Sequence, residues 1–266
     1  ALCENNSDIS DPHELANLRE WRWSYDRGQN LSPEFVADSE KIRSLAMPAW
    51  AEARNKNDFD VFRPHLEKIV ELNRKKANIY GFDSHPYDAL LEGFERGATT
   101  KSIGDLFEDL KTSLKEIGDL AKNKSNHVAV DLIDGDYTTE SQMVFNREVA
   151  ESFGFDFEAG RIDTAVHPFC SGIAPGDTRM TTRYDRLNFM SSLYGVHHET
   201  GHGLYEQGLP EEHFTCPVGK AVSLGIHESQ SRLWENHVGR SIGFWEKWYP
   251  RAEEIFPSIK EIGFDN

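Results

Sequence analysis

The stretch Val196-His197-His198-Glu199-Thr200-Gly201-His202-Gly203-Leu204-Tyr205 constrains this chain more than any other. Read as a helix, it sets His198 and His202 one turn apart on a single face. Two imidazoles so placed can share one Zn²⁺ at about 2.0–2.1 Å each. Glu199 follows the first of them and points beside that metal, where it can take a proton from a bound water. The bland alternative is a solvated helix with a chance pair among the eleven histidines of the chain.

A catalytic zinc site wants three protein ligands and an open position. Glu228, in Gly225-Ile226-His227-Glu228-Ser229-Gln230, sits on what reads as the next long helix. Pro210 and the loop to about Gly219 separate the two helices, so they can pack antiparallel and bring Glu228 to the metal. Two neutral imidazoles and one carboxylate leave the site at about +1, which still acidifies a bound water towards a pKa of about 7. His213, His227 and Glu235 compete for the third position. His197 competes for the first, but only His198 has a histidine four residues on.

Composition narrows the setting. The 266 residues suffice for one large domain or two ordinary ones, with a core that needs no staples. A net charge of −16 argues against nucleic-acid and anionic-membrane partners, which need a basic face. The three cysteines, Cys3, Cys170 and Cys216, are scattered and odd in number, which points to a reducing compartment, and Cys170 and Cys216 lack an evident base partner and are expected to be buried or inert. No apolar run approaches the ~18 residues of a membrane span. Ala1 is no natural start and the end at Asn266 is abrupt, so the chain reads as a piece of something larger.

Helical periodicity dominates the first half. Ser10-Asp11-Pro12 caps a helix carrying Leu15, Leu18, Trp21 and Tyr25, and Ser32-Pro33-Glu34 opens a second to about Asn57. Pro48 predicts a kink or a split there. A third helix is expected from Asp58 to about Ile79, with these aromatic side chains taken as core. A short helix follows Asp83-Ser84-His85-Pro86. The clearest amphipathic pattern runs from Thr100 to Asn123, and Asp131 to Asp136 reads as a loop before a helix capped by Thr138 or Thr139. Between Gly154 and Asp185 the period changes. Arg161–Val166 and Asp177–Tyr184 read as strands of a small sheet, and Gly172-Ile173-Ala174-Pro175-Gly176 as a turn-rich connector. Asp185 or Asn188 caps the His-Glu helix, and two more helices follow Lys220. A single mostly helical domain over 1–266 is expected, with its β region at about 154–185 and its metal-binding helices at 186–240. Gly201 and Gly203 are expected to admit a close neighbour.

The order of the motifs is specific. His198-Glu199-Thr200-Gly201-His202 followed by His227-Glu228-Ser229-Gln230 resembles the thermostable carboxypeptidase family, peptidase family M32. His167-Pro168-Phe169 resembles that family's HPF motif, Asp177-Thr178-Arg179-Met180-Thr181 its DxRxT motif, and Tyr87–Leu91 with Thr99-Thr100 its upstream helix turn. The resemblance implies a mainly α, zincin-type fold with a small sheet beside a groove. It implies a cytoplasmic, often homodimeric zinc metallocarboxypeptidase acting on peptides. His198, His202 and Glu228 would be the ligands and Glu199 the general base. His167, Asp177, Arg179 and Thr181 would line the substrate cleft. Family members are about twice as long, and their later IRxxAD and GxxQDxHW motifs have no match here, so a central fragment is expected. The alternatives are an inactive metal-binding fragment and a zinc endopeptidase. Co²⁺ also suits the ligand set. Arg179 and Arg183 are possible partners for a substrate carboxylate, or for Asp177 and Asp185.

Overall fold

A computed structural model describes residues 9–124, 135–261 and 264. The chain groups into two compact units, Ala1–Thr112 and Ser113–Asn266. The loop expected at Asp131 to Asp136 lies outside the described residues up to position 134.

The first unit is helical. It holds α1 (Pro12–Gln29), α2 (Pro33–Lys56), α3 (Arg63–Tyr80), α4 (Asp88–Leu91) and the start of α5 (Thr100–Lys124). Asp11 and Ser32 cap the first two helices by accepting backbone N–H groups. Pro48 lies inside α2 and does not split it, because the lost hydrogen bond is one among many along 24 residues. The expected third helix is divided instead. Asp58 caps a separate 3₁₀ turn at Phe59–Val61, and α3 begins afresh with Pro64 in its first turn. The Arg27 guanidinium ties α1 to its neighbours, donating to the Ala89 carbonyl and stacking 3.8 Å above the Tyr80 ring. Asp88 accepts from Thr100 N at 2.6 Å, which joins the two halves of the upstream motif.

The aromatic core expected here is not found. Among the described residues of this unit, those buried are Asn17, Ala46, Ala53, Ala77 and Ala89, while Trp21 and Tyr25 are exposed. The apolar stripe of α5 is exposed as well, at Leu106, Phe107 and Leu110 in this unit and at Leu114, Ile117 and Leu120 beyond it. Periodicity marks the apolar face of a helix but says nothing of what covers it.

The second unit carries the core. It contains α6 (Thr139–Ser152), strands β1 (Gly160–Thr164), β2 (Cys170–Ala174) and β3 (Asp177–Thr182), then α7 (Phe189–Gln207), α8 (Leu224–Arg232) and α9 (Ile242–Ile255). Thr138, Asn188, Ser223 and Ser241 cap the four helices. In the sheet, β3 is central, parallel to β1 and antiparallel to β2. The expected connector is therefore mostly a strand. Only Pro175-Gly176 turns, with Gly176 at φ +79°, where glycine carries no steric cost.

Two apolar clusters grip α7. Phe189 and Leu193 join Tyr137, Phe145, Trp248 and Phe256 on one side, and Val196 joins Ala150, Phe155 and Met180 on the other. The aromatic rings meet mostly edge to face, as between Phe145 and Trp248 at 5.7 Å. At the rim of the first cluster Arg251 of α9 makes a two-pronged ion pair with Glu148 of α6, at 2.8 and 2.6 Å. The hydrogen bond from Arg251 holds Glu148 below the usual carboxylate range. A carboxylate with a depressed folded pKa stabilises above its unfolded value of about 4.5 and loses that contribution as pH falls through the folded pKa. Arg251→Met should therefore lower the urea midpoint at pH 7 and shrink the fall in stability between pH 5 and pH 3, measured by circular dichroism.

Candidate metal centre

Helix α7 ends over α8, and the two carry the motif residues to one place. One nitrogen each of His198 and His202 and one oxygen of Glu228 lie within 4.8 Å of one another, the spacing of groups that can hold one ion. Nε2 of His198 stands 3.6 Å, and Nε2 of His202 3.3 Å, from the same Glu228 oxygen. Both Nδ1 atoms face away and are engaged elsewhere. His198 Nδ1 donates to Glu235 at 2.9 Å, and His202 Nδ1 lies 2.5 Å from Nδ1 of His227. A carboxylate only accepts, so His198 carries a proton on Nδ1, and its Nε2 is the nitrogen turned toward Glu228.

Glycine makes this possible. A Cβ on Gly201 would stand 2.5 Å from Gln230 O and Ser231 Cα, so α7 and α8 touch backbone to backbone. Gly203 admits the Phe155 ring instead, where a Cβ would come within 2.6 Å. After Arg232 the helix widens into a π-helical stretch, Leu233–Val238, and Glu235 lies on it. Arg232 and Arg240 donate to Glu235 from either side, at 3.0 and 3.3 Å. Burial alone would raise the Glu235 pKa. The His198 hydrogen bond and the two arginines outweigh it, so Glu235 titrates below the usual range.

Glu199 is buried, and its Oε2 has no hydrogen-bond partner among the described residues. Burial first, then the carboxylates of Glu228 and Glu235, push it up to about 7. Burial also brings His202 down to about 4, with His227 and His198 adding to the effect, so its ring is neutral near pH 7. His197 points the other way, fully buried among Phe153, Tyr194 and Phe244, with Nδ1 at 2.7 Å from the Leu193 carbonyl.

These groups open into a cleft of about 810 Å³. His167, Phe169, Cys170, Arg183 and Tyr194 line it beside His198, Glu199, His202 and Glu228. Thr181 is buried behind the wall. Its hydroxyl accepts from Phe169 N at 3.0 Å and so holds the His167–Phe169 segment against β3. Asp177 and Arg179 pair with each other in a bidentate contact at 2.8 and 2.7 Å, and neither is among the cleft-lining residues. Burial, with the Glu199 and Glu206 carboxylates nearby, pushes the Cys170 thiol up to about 12, which makes it inert. Glu206 is a site residue that motif reading misses. It accepts from His227 Nε2 at 2.7 Å, and only its spacing of four from His202 on one helix hints at it.

The model of the carboxypeptidase Taq (M32) metallopeptidase family matches residues 1–265. Thermostable carboxypeptidase 1 of Thermus thermophilus is 40% identical over 269 residues, covering 97% of this chain and 53% of that protein. Carboxypeptidase 1 of Bacillus subtilis is 38% identical over 266 residues, covering 100% of this chain and 53% of that protein. The solved structure of Pyrococcus furiosus carboxypeptidase superposes with a TM-score of 0.88 at 35% identity, over 97% of this chain and 52% of that one. The chain thus spans about half the length of these relatives.

Gly201→Ala tests the helix contact. A methyl group driven into backbone has no rotamer by which to escape, so destabilisation at the upper end of the usual ~1–3 kcal/mol for overpacking is expected. It should lower the thermal midpoint far more than Gly243→Ala, where a Cβ meets nothing within 4 Å.

Proposed function

The chain belongs to the carboxypeptidase Taq (M32) metallopeptidase family, and we propose that its cleft removes the C-terminal residue of peptides with the help of a bound divalent metal ion. One observation carries this reading. Both ligand imidazoles turn Nε2 toward Glu228 while their Nδ1 atoms are engaged elsewhere. Two imidazole nitrogens and a carboxylate oxygen suit Zn²⁺ first and Co²⁺ second. When bound, the ion supplies a Lewis acid that polarises the scissile carbonyl and acidifies the attacking water.

The chain's own groups do the rest. Glu199 takes the proton of the attacking water on its unpartnered Oε2 and returns one to the leaving amine. His167, on the cleft wall, donates to the substrate, and Thr181 keeps its segment in place. Of the expected substrate-side residues, Asp177 and Arg179 pair with each other on β3. Arg183 is exposed on the cleft wall and is suited to the terminal carboxylate of a peptide. The free thiols Cys170 and Cys216 fit a cytoplasmic setting. Among the described residues, no helix is long and apolar enough to cross a membrane.

A zinc endopeptidase and an inactive metal-binding fragment are the competing readings. Incubating paired peptides with free and amidated C-termini, with Zn²⁺ or Co²⁺ and a chelator control, separates them by mass spectrometry. Single-residue losses from the free C-terminus alone, stopped by chelator, are expected. Internal cleavage of both peptides would establish the endopeptidase, and metal binding without cleavage the inactive fragment. Glu199→Gln should keep its metal, measured by elemental analysis, and lose roughly 10²–10⁴-fold in turnover. Arg183→Met should raise KM for free C-termini and leave kcat nearly unchanged.

A further inference from the structure

We infer that His227 and Glu206 form a relay that fixes the tautomer of His202 and so sets how tightly the centre holds its metal. The inference rests on the ligand reading above. His202 and Glu206 stand one turn apart on α7, and the His227 ring of α8 bridges the two. Its Nδ1 lies 2.5 Å from His202 Nδ1 and its Nε2 lies 2.7 Å from Glu206 Oε1. The proton order follows from one end. The Glu206 carboxylate only accepts, so His227 carries its proton on Nε2. Its Nδ1 is then a lone pair that accepts from His202 Nδ1–H. The Nε2 of His202 faces the Glu228 carboxylate at 3.3 Å, a second acceptor that the relay outcompetes, and so is left bare for a cation.

The surroundings are built around this line of contacts. A Cβ on Gly172 would fall 2.2 Å from Glu206 Oε2, so β2 gives up a side chain to admit the carboxylate. The Tyr205 ring packs edge-on against His227 at 4.8 Å. The two ligands are thus oriented by different means. Glu235 reaches His198 directly, while Glu206 reaches His202 through a second imidazole. His227 immediately precedes the ligand Glu228, so one turn of α8 brings both a ligand and the brace of another. His227 and Glu206 are positioning residues in this account.

The test uses the whole chain and Zn²⁺. Affinity is read by competition with a chromophoric chelator. Tautomers in the metal-free protein are read by two-bond ¹H–¹⁵N correlation, and folding by circular dichroism. His227→Phe keeps the ring and removes its nitrogens, and Glu206→Leu removes the acceptor. Each should weaken Zn²⁺ binding about 10- to 100-fold. His227→Gln, whose amide oxygen can accept from His202, should recover most of that loss. The double variant His227→Phe/Glu206→Leu should be no weaker than His227→Phe, because Glu206 acts through the ring. Unchanged affinity in folded single variants, additive losses, or a His227→Gln protein as weak as His227→Phe would overturn the relay. The wild-type spectrum tests it without any variant. A proton on Nδ1 of His202 supports the relay, even in a chain that binds no Zn²⁺, where the ligand reading alone would fall. A proton on Nε2 refutes it, even in a chain that binds the metal well.

Discussion

With a Cβ on Gly201 lying 2.5 Å from Gln230 O and Ser231 Cα, α7 and α8 meet backbone to backbone at one residue, and the geometry of the centre follows from that contact. Gly201 immediately precedes His202, and Gln230 is two residues from Glu228. Fixing the one pair of backbones sets the distance between the other pair of side chains. The contact in turn needs a rigid α7. Phe189, Leu193 and Val196 supply that rigidity by anchoring the helix in two apolar clusters before it reaches the motif.

Electrostatics adds a second constraint. Glu199, Glu228 and Glu235 gather around one cleft in a chain of net charge −16. Their mutual repulsion helps push Glu199 up. Arg232 and Arg240 offset part of it, but both lean on Glu235, and Arg232 also reaches Glu228. A dication between His198, His202 and Glu228 would offset the rest, so the cluster's charge favours a cation there.

The centre was far more legible in the sequence than the surroundings were. His198, Glu199 and His202 declare themselves because helix geometry turns a spacing of four into a shared face. Glu228 was reachable because Pro210 and the loop beyond it separate two helices. The close approach at Gly201 could be anticipated from glycine's cost inside a helix. Glu206 could not, since its role depends on a ring from another helix and on space left by Gly172 in a strand. That strand itself was hidden, because two glycines and a proline read as turn chemistry when the reason for Gly172 is tertiary. Trp21 and Tyr25 show the opposite failure. Their spacing marks an apolar face correctly, but spacing contains no information on what lies against it.

Small zinc domains commonly use the ion to fold, so chelation unfolds them. Here the contact at Gly201 and the clusters around α7 bring the three donor groups together by packing between helices. The free energy of binding an ion there would then go into affinity and not into ordering the chain. Loading and unloading an ion would be exchange events within a finished framework, so a chelator should leave the helices of this chain standing.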